Sequence, residues 1–183
     1  MSRGAYTLAI LVCLATPRSS AQSADERAVG DLARRFFTAY AEQALPAIEA
    51  AVSSGAPDRA ALVSVGPVAG SSSAAVLARP VGVGRIRIDD SRATAQVFIE
   101  LAAGPSPSTG VVSAERLLLC AREGSGWQVW NVTPSLMEVV DGVTNAASRT
   151  ARLGLLGDDG AWLGADLWPA IVARGDQLFQ QGR

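Results

Sequence analysis

The stretch ATAQVFIELAA, residues 93 to 103, sends Ala95, Val97, Ile99 and Leu101 to one side of an extended chain and Gln96, Phe98 and Glu100 to the other. A period of two over this length demands a strand with one face on a core. The neighbouring stretches repeat the demand. VGVGRIRIDD alternates Ile86 and Ile88 with Arg85 and Arg87, VVSAERLLLCARE makes a long third strand, and WQVWNVT a fourth. Asp89-Asp90-Ser91 and Gly124-Ser125-Gly126 supply tight turns, while Gly104 to Gly110 is a loop that cannot lie inside a sheet. Strands joined in sequence by short turns form an antiparallel meander. The alternation leaves open which face turns inward, because a one-residue slip exchanges the two.

Helical periodicity comes first in the chain. Ser23 stands three residues before Glu26, the spacing of a capping box. Behind it Val29, Leu32, Phe36 and Tyr40 recur on one face, flanked by Ala33 and Phe37, while Asp31, Arg34, Arg35 and Glu42 take the other. A second helix is predicted from Leu45 to Ser54, with Pro46 in its first turn and Gly55 past its end. A third begins near Pro57, and the Gly- and Ser-rich Gly66 to Ala75 is a loop. After the strands, Ser135 with Glu138 repeats the capping-box spacing. The helix it opens carries Val139, Val140, Val143, Ala147 and Leu153 as an apolar face and is broken by Gly157 to Gly160. A last helix is expected near Asp166, with Pro169 in its first turn and an apolar stripe of Leu167, Ile171, Leu178 and Phe179.

Composition excludes more than it includes. The chain has 183 residues, a net charge of −1 and no His. Without His there is no Ser-His-Asp triad, no Cys-His pair and no His-containing zinc site. Every Lys+Arg residue is Arg, and the near-neutral charge argues against nucleic acid as a partner. Asp158-Asp159 beside Gly160 reads as a solvated turn, so neither a metal nor a cofactor is expected.

The first 21 residues have an export pattern. Arg3 supplies positive charge, Ala5 to Ala15 form an apolar run too short to span a bilayer, and Ser19 and Ala21 suit cleavage before Gln22. Cleavage would remove Cys13, leave Cys120 alone, and leave no stable membrane insertion. The expected organisation is a leader over residues 1–21, a domain over 22–141 and a helical extension over 142–183, with the product in the periplasm or outside the cell.

Helices followed by an antiparallel meander define an α+β fold with helices layered on a sheet. The stretch DLARRFFTAYAEQALPAIEA resembles the opening helices of the nuclear transport factor two superfamily, which includes the SnoaL-like proteins. RLLLCAREGSGWQVWNV resembles that superfamily's last strand pair. The resemblance spans Asp25 to Val140 and implies a cone-shaped curved sheet packed against the N-terminal helices. The order LARRFFTAY to GWQVW, with a helical connector after it, is also similar to the domain that precedes tetratricopeptide repeats in some bacterial proteins, a few of which add a CHAT domain. Gly175, Leu178, Phe179 and Gly182 resemble the first helix of such a repeat.

A cone of this kind implies an enclosed space that either holds a small molecule or is filled by core side chains. Its candidate lining is Phe36, Tyr40, Phe98 and Trp130, with Glu100, Gln96, Glu115 and Arg116 as polar contacts. Two functions follow from the resemblance. One is a non-catalytic module for a small apolar ligand or a protein partner, the last helix docking on that partner or on a second copy. The other is a small isomerase, cyclase or dehydratase in which Tyr40 pairs with Glu100 or Glu115 for acid–base chemistry.

Overall fold

The computed structural model describes residues 23–64, 76–102, 111–157 and 160–182. The proposed leader, the Gly66–Ala75 and Gly104–Gly110 loops and Asp158-Asp159 lie outside the described residues. Among the described residues three helices come first, α1 (Ala24–Ala41), α2 (Leu45–Ala51) and α3 (Arg59–Val63). Four strands follow, β1 (Val76–Asp89), β2 (Arg92–Ala102), β3 (Val111–Glu123) and β4 (Gly126–Pro134). Three more helices come last, α4 (Leu136–Asn145), α5 (Arg149–Leu156) and α6 (Gly160–Gln180).

The sheet is the expected antiparallel meander, in the order β1-β2-β3-β4. Asp90 at φ 53° turns β1 into β2, and Gly124 at φ 59° turns β3 into β4. These left-handed positions favour Asp and Gly, so the local chemistry of each turn sets the register on both sides. β1 is longer than its alternation predicts and runs back through Pro80 to Val76. Proline is tolerated there because β1 is an edge strand. Three register shifts between Leu77 and Ile86 bend that edge.

The inner face of the sheet is the one that α1 covers. Ala93, Ala95, Val97, Ile99 and Leu101 of β2 are all buried, and Val29, Leu32, Ala33, Phe36, Phe37 and Tyr40 of α1 pack against that face. Ser23 accepts from the Glu26 N–H and Glu26 accepts from the Ser23 N–H, so the capping box is complete. The α2 helix stops at Ala51, short of the expected Ser54, because Val52 extends and bridges Val129 in parallel. There the Ser53 N–H donates to the Val129 carbonyl at 2.8 Å, and the buried Ser53 hydroxyl donates to Glu123. Backbone pairing at the open edge of β4 outweighs one more helical turn.

The other face is covered as well, and the C-terminal helices cover it. Leu117 and Leu119 of β3 form a second core with Val140 of α4 and Trp162, Leu163 and Leu167 of α6. Trp130 stacks on Trp162 with ring centroids 5.7 Å apart, and Arg92 lies over the Trp162 ring. The sheet is thus a middle layer between α1–α3 and the α4–α6 group. Position 141/142, where the extension was expected to begin, falls inside α4.

Two further helical expectations change. The helix opened by Ser135 ends at Asn145, and α5 is separate. Thr144 and Asn145 turn their side chains back onto the carbonyls of Val140 and Asp141, while the Ser148 hydroxyl caps the Ala151 N–H. Such side-chain bonds compete with the helix and end it. Leu153 is therefore exposed rather than part of the α4 face. The last helix begins at Gly160, not near Asp166, which leaves Pro169 in its interior. Burial of Trp162, Leu163 and Leu167 at helical spacing outweighs the backbone bond that Pro169 cannot make. Along the expected stripe Leu167 is buried and Ile171 and Leu178 are half-buried, whereas Phe179 is 84% exposed.

Candidate functional site

The five candidate pocket residues do not gather in one site. Phe36 and Tyr40 lie on the inner face, their rings 5.6 Å apart, and the Tyr40 hydroxyl donates to the Ser64 carbonyl at 2.9 Å. The hollow they share with Leu62 and Asn131 measures about 70 Å³. At about 30 Å³ of liquid volume per water, it admits about two water molecules. Phe98 and Glu100 alternate with the buried Val97, Ile99 and Leu101 and so occupy the outer face, where Phe98 is 40% exposed. Trp130 is on the outer face too, against Trp162. Tyr40 is thus separated by the sheet from both Glu100 and Glu115, and the acid–base pair is not assembled. The period of two that identified the strands is what divides these residues.

The polar candidates divide in the same way. Gln96 and Glu115 are on the outer face, whereas Arg116 pairs with Val97 and is buried. Arg116 donates to the Glu115 carbonyl at 2.7 Å and meets Glu138 at 3.4 Å, so this cation fastens the end of the β3–β4 ladder to the start of α4.

A larger cleft, of about 230 Å³, opens between the outer face and the C-terminal helices. Its floor is Leu117 with Thr94 and Gln96, its walls are Leu136 and Met137 of α4 and Leu163 of α6, and Arg85, Arg87, Glu115 and Asp166 rim it. Sheet alternation places the rim: Ile86 and Ile88 turn to the core, so Arg85 and Arg87 turn outward. Asp166 lies one helical turn after Leu163 and one residue before the buried Leu167, which brings it over the strands. It meets Arg85 and Arg87 at 3.6 Å each, and Arg87 also donates to the Trp162 carbonyl. Gln96 lies over Gly84, where an added Cβ would come within 2.6 Å of its amide oxygen. That oxygen accepts from the Arg85 N–H at 3.3 Å. Only glycine leaves room for this arrangement.

A further hollow of about 320 Å³ lies under α5, among Thr133, Pro134, Val139, Leu155, Leu156 and Leu167. Its charged residue, Glu138, already accepts from the Ser135 N–H and pairs with Arg116. It therefore offers volume with little directional chemistry. The cleft over β1–β3 combines an apolar floor with convergent polar groups, the usual composition of a small-molecule site.

Reactive chemistry is sparse. Cys120 is fully buried, and burial pushes its thiol up, which keeps it protonated and inert. Among the described residues no cluster of three or more His, Cys, Asp or Glu residues could hold a metal ion, and no helix is long and apolar enough to cross a membrane. Of this lining, sequence reasoning named only Gln96 and Glu115 and missed the rest, Arg85, Arg87 and Asp166 among them. That the two arginines share a face opposite Ile86 and Ile88 was legible, but nothing local showed which way that face turns or that α6 would cross above it.

No family model matches the chain, and no curated protein does. Among solved structures the chain is similar to an Ntf2-like protein involved in plasmid conjugation, with 20% identity and a TM-score of 0.42. The match covers 62% of this chain and 40% of that one, so this chain spans less than half of its length. A likeness of that size says nothing about a site.

Proposed function

We propose that the protein is an exported, non-catalytic module that binds a small molecule in the cleft between the outer sheet face and helices α4 and α6. The observation that carries this reading is the cleft itself, with Leu117 beside Thr94 and Gln96 on its floor, apolar walls and a rim of Arg85, Arg87, Glu115 and Asp166. An NMR titration with phenylacetamide, a small neutral amphiphile, tests it. Shifts are expected at Leu117, Leu136, Met137 and Leu163. Met137→Trp should remove them, because this exposed residue is at the cleft wall and a larger ring fills the space. Shifts confined to Phe36, Tyr40 and Leu62 would move the site to the inner hollow, and no shifts at all would end the binding-module reading.

Export rests on Arg3, the apolar run from Ala5 to Ala15 and the small residues Ser19 and Ala21. A partner is the companion reading, supported by Trp168, Val172 and Phe179, which stand exposed on α6. The likeness of Gly175, Leu178, Phe179 and Gly182 to a tetratricopeptide helix belongs to the same reading. Mass spectrometry on the exported protein addresses both points. Under denaturing conditions the chain should begin at Gln22, and under native conditions it should carry a second copy or another protein. Retention of Met1 would defeat the export reading, and a bare monomer the partner reading.

A further inference from the structure

Charge at the cleft rim is unevenly shared. Arg85 and Arg87 are two cations facing one carboxylate, Asp166, which leaves one positive charge in excess at the β1 end. Both N···O separations are 3.6 Å, longer than a hydrogen bond, so Asp166 attracts the guanidinium groups without saturating their donors. The Arg87 side chain is 21% exposed and is held from above by the Trp162 carbonyl, whereas that of Arg85 is 74% exposed and free to re-aim. Beside them the Gln96 amide oxygen is occupied by the Arg85 N–H, which leaves the amide NH₂ to donate. The donors at this end thus converge on a place where an acceptor with negative charge would sit. Apart from the Thr94 hydroxyl, the rest of the floor and walls is apolar, made by Leu117, Leu136, Met137 and Leu163.

We propose that the cleft takes a small apolar monocarboxylate. Its carboxylate sits against Arg85 and Arg87 beside the Gln96 amide, and its apolar body lies along Leu117, Leu136 and Leu163. The assignment rests on the binding-module reading. A guanidinium fork matches the two oxygens of a carboxylate, and part-exclusion of water by the α6 wall strengthens the pairing. The volume limits the size of the ligand. About 230 Å³ corresponds to about eight water molecules at about 30 Å³ each, which suits a ligand of about ten non-hydrogen atoms. Glu115, on β3 and two strands away from the arginines, selects against a second negative charge on the same ligand.

Titrating the full chain at pH 7 with phenylacetate, phenylacetamide and 4-carboxyphenylacetate separates the carboxylate assignment from the binding-module reading. Phenylacetate is expected to bind about tenfold more tightly than the amide, the difference that one charge-assisted hydrogen bond makes. Arg85→Gln should erase that preference while the amide still binds, since Arg85 is exposed and carries little of the packing. Raised salt should narrow the gap as well. Equal binding of phenylacetate and phenylacetamide with shifts at Leu117 and Leu163 overturns the carboxylate assignment and leaves the binding module standing. An acid preference unchanged by Arg85→Gln, or 4-carboxyphenylacetate, whose second charge lies at the far end of the ring, binding more tightly than phenylacetate, also overturns it. Shifts from neither monofunctional probe overturn both the assignment and the reading beneath it.

Discussion

A chain cut after Gly157 is expected to melt far below the full protein or to lose its cooperative transition. The cut removes α6, which buries Trp162, Leu163 and Leu167 against the outer face of the sheet. Each such side chain contributes roughly 1.5–3 kcal/mol through burial. Three of them approach the 5–15 kcal/mol by which an ordinary domain is stable. The cut also uncovers Leu117, Leu119 and Val140, which then meet water from the other side. A fall of about 10–20 °C in the thermal midpoint is the smallest change these losses allow. Calorimetry on the two lengths decides the matter. A midpoint unchanged by the cut would mean that α6 is an appendage on an independent sheet domain, and the outer-face cleft would lose its α6 wall as a fixed feature.

Trp127→Ala is expected to cost about 3–5 kcal/mol, the usual loss for a buried aromatic truncated to Ala. Trp127 is buried in the inner core, its indole N–H donates to Asp25 at 3.1 Å, and Arg122 lies 4.6 Å from its ring centroid. The Arg122 guanidinium also pairs with Asp25. This group latches the first turn of α1 to the β3–β4 hairpin. Trp130→Ala should cost less, about 1–3 kcal/mol, because Trp130 is half-buried and loses mainly its stacking on Trp162. If denaturant unfolding shows both replacements to be silent, neither ring is core and the placement of β4 is wrong.

The same latch carries a pH signature. The Trp127 hydrogen bond, helped by that of Arg122, holds the Asp25 carboxyl below its ordinary value of 3.8. A depressed folded-state pKa contributes stability above the unfolded value, and that contribution disappears as pH falls through the folded one. Asp25→Asn should therefore flatten the stability curve below about pH 4 and leave its shape near neutrality unchanged. An identical acid limb in the variant and the parent would remove Asp25 from the account.

Much of the fold is legible in local pattern. The capping boxes at Ser23 and Ser135, the alternation from Ala93 to Leu101 and the turns at Asp90 and Gly124 each act within a few residues. Short-range chemistry of that kind determines the starts of α1 and α4, which strand residues share a face, and hairpin register. It also determines that Arg85 and Arg87 share a face opposite Ile86 and Ile88. Helix ends were less legible. Ala51 and Asn145 end their helices because Val52 finds Val129 in one case and side chains turn back on the backbone in the other.

The site belongs to the tertiary level. Phe36, Tyr40, Phe98, Glu100 and Trp130 are all aromatic or acidic residues on predicted elements, yet the sheet passes between them. The cleft exists because α6 starts six residues earlier than its proline suggests and lays Trp162, Leu163 and Leu167 across β3. A proline penalty is local and visible in the sequence, about 3 kcal/mol inside a helix. Burial of three large side chains outweighs it, but that gain depends on a surface more than forty residues away in the chain. Periodicity reports which side chains share a face, and only packing decides what that face meets.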